Sequence, residues 1–251
     1  MLLGLDNVTH FYGPRLIFRD ISLSIRSGTV TLLTGANGTG KSTLLKIMAG
    51  LLLPSAGSVF RGRRTPEGKA AVGTNAAVTG ENAPVFAYLG HQTFLYPDLS
   101  ALENLRFWTS LYQRACAEQD FMDVLERVEL AHVAEEKVKN FSRGMAQRLN
   151  LARIFLSRPD VFLLDEPDTG LDTRSRSILY REIADAKNTG SAIVWITHNP
   201  AEDIHRADML AILEHTMLSF YGTTRDYLEQ NAMSPRHMCS VSHPVHEGGM
   251  C

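Results

Sequence analysis

Apolar and polar positions alternate through Ile21, Leu23 and Ile25, with Ser22, Ser24 and Arg26 on the other side. Period two predicts a half-buried strand, antiparallel in type. A turn at 26–28 leads into the continuous apolar run Val30–Thr34, a buried strand. A glycine-rich loop follows, then a helix over about 42–49 with Gly50 at its C-terminal end. Similar continuous runs at Val161–Leu164 and Ala192–Ile196 read as parallel strands covered on both faces. Ile178, Leu179 and Ile183 place a helix between them, ending near 188–190. Met209–Leu213 reads as a strand entering a hairpin that ends near Tyr221. Helical spacing also joins Leu102, Leu105, Trp108 and Tyr112, and a further helix spans about 119–128. Ser100 and Glu103 stand three apart, as in a capping box. Residues 61–84 lack apolar periodicity and read as a long exposed loop, and the chain from Ser234 onward reads as a flexible tail. The order of elements predicts an α/β fold.

The chain has 251 residues, 44% hydrophobic and 21% charged, enough for one large domain with a sizeable core. A formal net charge of −2 argues against a general nucleic-acid binder. Three cysteines, Cys116, Cys239 and Cys251, show no disulfide spacing and fit a reducing compartment. Neither a leader pattern nor an apolar run of membrane-spanning length is present, so any membrane role is expected through a partner.

Three stretches carry chemistry. Gly35–Ser42, "GANGTGKS", matches G-x-x-x-x-G-K-[ST] between a strand and a helix. Glycines let the backbone N–H groups of Gly35, Ala36, Asn37, Gly38, Thr39 and Gly40 curl around phosphate oxygens, and the helix N-terminus adds positive charge. Lys41 is expected to reach the β- and γ-phosphates of ATP, Thr43 to line the site, and Ser42 to ligate Mg²⁺. The strand Val161–Asp165 ends in two carboxylates: Asp165 suits the Mg²⁺ shell, and Glu166 suits a base that orients the attacking water. "NFSRGMAQR", 140–148, offers Ser142 as a helix N-cap ahead of Gly144 and Met145. By itself that is an ordinary capped helix.

Together these stretches resemble the ATP-binding subunit of an ABC transporter, over roughly residues 2–225. "FSRGM" is similar to the signature L-S-G-G-Q, "TGLD" at 169–172 to the D-loop, "TH" at 197–198 to the switch histidine, and Tyr12 to an adenine-stacking aromatic. The resemblance implies a P-loop NTPase (RecA-like) core with an antiparallel β-subdomain and an inserted α-helical signature subdomain at about 98–157. It implies one ABC ATPase domain over 1–231, with 232–251 as tail. It also implies ATP and Mg²⁺ as ligands and Glu166, His198 and Lys41 as catalytic residues. Tyr12, the loop 35–43, Ser142, Gly144, Met145 and Asp172 are then nucleotide-binding. The expected partners are an integral membrane permease and a second ATPase subunit, like or unlike, packed head to tail at the cytoplasmic face of the inner membrane. Four positions depart from the pattern: Phe141 for leucine, Arg143 for glycine, Met145 for glutamine and Gly170 for alanine. Arg143 either crowds the approach to the γ-phosphate or helps bind it.

"GHQTFLYPDL", 90–99, sits where the family's Q-loop touches Mg²⁺, and either His91 or Gln92 fills that slot. The stretch "YLGHQTFLYPDLSALENLRFW" looks like the ATPase of the bacterial cytochrome c maturation haem exporter, with other small lipid or drug exporters as alternatives. A non-transport ABC ATPase is the remaining class. Leu105 and Tyr112 are expected in the core, and Phe107 or Trp108 on a docking surface. His237, Cys239, His243, His246 and Cys251 in the tail are borderline or soft ligand types of the kind that bind a transition metal or haem iron, but their spacing matches no standard site.

Overall fold

The computed structural model describes residues 2–62, 84–90, 93–111 and 116–232. The expectations for most of the 61–84 loop, His91, Gln92, Tyr112 and the tail beyond 232 lie outside them.

The chain opens with β1 (Leu3–Tyr12), β2 (Arg15–Ile25), β3 (Val30–Thr34), α1 (Lys41–Ala49) and β4 (Ala56–Arg61). It continues through β5 (Phe86–Leu89), α2 (Ala101–Leu111), α3 (Glu118–Arg127), α4 (Arg143–Leu156), β6 (Val161–Asp165) and α5 (Thr173–Asn188). It closes with β7 (Ala192–Ile196), the short α6 (Pro200–Asp203), β8 (Met209–Glu214), β9 (Met217–Thr223) and α7 (Thr224–Ala232).

Two sheets form among the described residues. One is antiparallel in the order β2-β1-β4; the other runs β5-β6-β7-β3-β8-β9, parallel except for β9. The buried runs are continuous because both faces of the larger sheet are covered. Leu32, Phe162, Leu164, Ile193 and Trp195 face a core shared with α2 to α5. Their alternates Leu33, Val161, Leu163, Val194 and Ile196 face a core shared with α1 and the smaller sheet. The two sheets are tied by Tyr221, whose hydroxyl donates to Ser24 O at 2.5 Å, and by Arg19 N to Thr216 O at 2.8 Å.

β1 and β4 go beyond the periodicity reading. β1 is interrupted by register shifts after Leu5, Val8 and His10, and Asn7 takes φ 48°, so its burial does not alternate cleanly. β4 packs on that bulge through Gly57, where a Cβ would lie 2.2 Å from Asn7 O. The capping box forms as expected: Glu103 N donates to Ser100 Oγ at 3.1 Å, and Ser100 N donates to Glu103 Oε2 at 2.7 Å. Gly50 ends α1 at φ 78°.

Candidate active site

The C-terminal ends of β3, β6 and β7 are neighbours in the parallel sheet, so the loops they emit converge. β3 feeds the loop 35–40. Gly35 has φ 144°, and a Cβ there would stand 2.2 Å from Leu213 O on β8. Gly40 has φ 104°, and a Cβ there would stand 2.5 Å from Ile17 on β2. Glycine at these positions lets two strands close on the loop. Gly38 has φ 80° with open space where its Cβ would be.

Lys41 is buried and its Nζ donates to Gly35 O at 2.8 Å and Ala36 O at 2.9 Å, so the ammonium sits inside the loop. Burial pulls its pKa down, while the Glu166 and Asp165 carboxylates push it back up. Ser42 Oγ donates to Asp165 Oδ1 at 3.0 Å. Asp165 Oδ2 lies 3.5 Å from the Tyr88 hydroxyl of β5, a phenol pushed up to about 12 by burial first and the Asp165 charge second.

Glu166 follows at φ 53°, a left-handed conformation for a residue with a Cβ, and its N–H donates to Ile196 O. The parallel register carries its carboxylate to the end of β7, where Oε1 meets His198 Nε2 at 2.7 Å. The residue before the histidine anchors this turn. Thr197 Oγ1 donates to Asp203 Oδ2 at 2.5 Å and accepts from Asn199 N at 2.9 Å. Asp203 is fully buried, and desolvation raises its pKa. Arg206 Nη1 stands 3.5 Å from its other oxygen.

Ser142, Gly144 and Met145 form a second group with the start of α5. Ser142 caps α4 by accepting from Met145 N at 3.2 Å. Asp172 caps α5 by accepting from Ser175 N at 2.7 Å; the Ser175 backbone bond, then its hydroxyl, holds this carboxyl below the usual range. A Cβ on Gly144 would lie 3.8 Å from Ser175 Oγ. Tyr12 is half-exposed with its edge on His10 at 4.9 Å, and through Phe18 this aromatic line reaches Gly40.

The donor set fits a nucleotide with Mg²⁺. Among the described residues no group of three or more His, Cys, Asp or Glu side chains could hold a metal. The paired Ser42 hydroxyl and Asp165 carboxylate are hard oxygen donors, the small complement that suits Mg²⁺ bound together with phosphates and water. Tyr88, Thr197 and Asp203 were not foreseen as site residues. Thr197 carries a local signal, since a threonine two residues before a backbone N–H forms such turns. Tyr88 and Asp203 carry none, because their partners are distant in sequence or set by burial.

The turn after β5 is gripped by Asn104 of α2, which is fully buried. It accepts from Tyr96 N at 2.8 Å and donates to Tyr96 O at 3.0 Å and Ser100 O at 2.9 Å. Leu105 is buried as expected. Phe107 and Trp108 are each half-buried, Trp108 being pinned by Phe94 O at 3.1 Å and the Arg153 guanidinium at 4.5 Å. The neighbouring exposed apolar side chains are Phe94, Tyr96 and Leu111. No helix among the described residues is long and apolar enough to cross a membrane.

Comparison with known proteins agrees with this geometry. The family model described as ABC transporter matches residues 18–169. The cytochrome c biogenesis ATP-binding export protein CcmA of Rhodopseudomonas palustris is 36% identical over 188 residues, 75% of this chain and 87% of that protein. The linearmycin resistance ATP-binding protein LnrL of Bacillus subtilis is 29% identical, over 90% of this chain and 70% of that protein. The maltose/maltodextrin import ATP-binding protein MalK of Escherichia coli K12 is 34% identical over 84% of this chain, which spans 55% of its length. An ATP-binding subunit of an ABC transporter superposes with a TM-score of 0.80 at 26% identity, covering 93% of this chain and 94% of that one. A dimeric ATP-binding cassette bound to ADP and Pi superposes at 0.73 and 22% identity, covering 89% and 99%, a likeness of fold. With this match and the convergence of 35–43, Asp165, Glu166 and His198, the chain belongs to the ABC transporter family as an ATP-binding subunit.

Proposed function

We propose that this chain hydrolyses ATP through Glu166 and His198 to power a small exporter serving haem export or delivery for c-type cytochrome maturation. The 2.7 Å contact of Glu166 with His198, beside Lys41, Ser42 and Asp165, carries the hydrolytic part. Lys41 and the backbone N–H groups of 35–43 bind the phosphates, and Tyr12 stacks on the base. Ser42 and Asp165 would hold Mg²⁺, which would neutralise charge developing on the phosphates. Glu166, oriented by His198, polarises the attacking water. Ser142, Gly144, Met145 and Asp172 reach the nucleotide of a second subunit packed head to tail, so that ATP joins the pair and hydrolysis releases it. A permease docks on Phe94, Tyr96 and Leu111, beside the turn held by Asn104.

Support for the cargo comes from CcmA, which this chain matches over 87% of that protein's length, against 55% for MalK. A drug exporter remains the second reading, favoured by the 90% of this chain that LnrL matches. The test is complementation of a bacterium lacking its cytochrome c maturation ATPase, read as covalent haem on c-type cytochromes. Wild type is expected to restore the signal and Glu166→Gln to fail while still binding ATP. Restored linearmycin-type resistance without restored cytochrome would favour the drug reading, and wild-type hydrolysis by Glu166→Gln would remove Glu166 as the base.

A further inference from the structure

β5 is the edge strand of the parallel sheet, and its side chains alternate between the two faces. Ala87 and Leu89 enter the core shared with α2 to α5, while Phe86 and Tyr88 pack on the α1 side. Tyr88 pairs with Leu163 of β6, and Asp165 stands two residues beyond Leu163, on the same face. The phenol spans that step, and its hydroxyl ends 3.5 Å from Asp165 Oδ2. Gly90 leaves the room: a Cβ there would stand 2.9 Å from the Tyr88 hydroxyl and 2.9 Å from its Cε1. Gly90 does not take a left-handed φ, so its backbone does not call for glycine, whereas the phenol beside it does.

We propose that Tyr88 is a positioning residue for Mg²⁺, donating to Asp165 Oδ2 and fixing the plane of that carboxylate. The proposal rests on the reading above that Ser42 and Asp165 hold the metal. Ser42 Oγ holds Oδ1 at 3.0 Å, and it can give its proton to that oxygen while turning a lone pair to a cation. A carboxylate held at one oxygen pivots about it. A donor on Oδ2 stops the pivot and sets where the remaining lone pairs face a hydrated cation. Mg²⁺ demands near-ideal octahedral geometry, so the direction of those lone pairs counts. A phenol suits the task because it is protonated at neutral pH, donates, and adds no charge. Tyr88 also stands on a strand whose backbone is fixed by β6, not on a loop. At 3.5 Å the contact is long for two oxygens, and a small turn of the ring closes it. Because the far end of a side chain is what Gly90 touches, Gly90→Ala changes where the phenol points more than how the chain folds.

The experiment measures ATP affinity by calorimetry in excess Mg²⁺ and in chelator, on the dilute intact chain carrying Glu166→Gln to prevent hydrolysis. The ratio of the two affinities reads the metal alone. Tyr88→Phe removes one hydroxyl and keeps the ring. It is expected to shrink that ratio by about tenfold, as for loss of a group that orients a metal ligand, with affinity in chelator unchanged. Gly90→Ala should resemble Tyr88→Phe by displacing the phenol, and adding it to Tyr88→Phe should cost little more, since the pair acts as a unit. Asp165→Asn is the reference and should lose most of the ratio. A parental ratio in Tyr88→Phe beside a collapsed ratio in Asp165→Asn would overturn the proposal while leaving the Mg²⁺ reading intact. An equal loss of affinity with and without Mg²⁺ in Tyr88→Phe would mark its role as structural and overturn the proposal too. A parental ratio in Asp165→Asn would overturn both.

Discussion

Replacing Thr197 by valine removes one hydroxyl and keeps the shape. That hydroxyl holds Asp203 at 2.5 Å and accepts from Asn199 N at 2.9 Å, so it fixes the residues on both sides of His198. Asp203 is fully buried and keeps its hydrogen bond with Tyr180 and the Arg206 guanidinium, whose Nη1 lies 3.5 Å from its other oxygen. A hydrogen bond to a charged group contributes about 1.5–3 kcal/mol, and Asn199 is exposed enough to recover water, so the expected loss is about 2–3 kcal/mol. For a chain of this size that lowers Tm by about 5–10 °C. The pH dependence has a definite sign. Burial raises the Asp203 pKa, so its contribution is fully present below the unfolded value of about 3.9 and is lost as pH rises through the folded value. Thr197 restrains that rise, so the deficit of Thr197→Val is largest near neutral pH and shrinks toward pH 4. Calorimetry from pH 4 to 8 measures it, with Thr197→Ser retaining wild-type stability. The ATPase readout is kcat reduced by about tenfold or more at unchanged KM, because His198 loses its aim at Glu166 while the phosphate loop is untouched. A Thr197→Val variant melting within about 1 °C of wild type at pH 7.5 would refute the reasoning.

Asn104→Ala removes four side-chain hydrogen bonds from the turn after β5, to Tyr96 N, Tyr96 O, Leu99 O and Ser100 O. Expected are a loss of about 3 kcal/mol and faster amide exchange at residues 96–100 in hydrogen-exchange mass spectrometry. Asp172→Asn keeps a capping side chain but removes its charge. The Asp172 carboxyl lies below the usual range, so its contribution is present above about pH 4 and lost as pH falls through the folded value. The variant's Tm should therefore fall less steeply than wild type between about pH 5 and 2, and equal slopes would show that the cap does not depend on charge.

The phosphate loop, the two carboxylates closing β6 and the histidine after β7 were legible because each is a short local pattern whose chemistry depends on adjacent residues. Gly35 and Gly40 show how far that legibility reaches. Their presence marked the loop, but the reason for them is the approach of Leu213 and Ile17 from strands remote in sequence. β1 escaped the periodicity because its bulges break alternation, and β4 escaped because its glycine answers the bulge at Asn7 rather than a pattern of its own.

By itself the sequence determined the element types along the parallel sheet, the anion-binding loop and the carboxylates at its rim. Burial on both faces demands continuous apolar runs, and phosphate binding demands glycines at set spacing. The tertiary structure alone decided which groups meet: Tyr88 beside Asp165, Thr197 on Asp203, and Arg143 on Gly170. Such contacts join strands and helix ends whose proximity is set by sheet order and register, and no local periodicity encodes that. Arg143 and Gly170 each looked like a lone deviation along the chain, and only the packing of α4 against the loop before α5 brings them into contact.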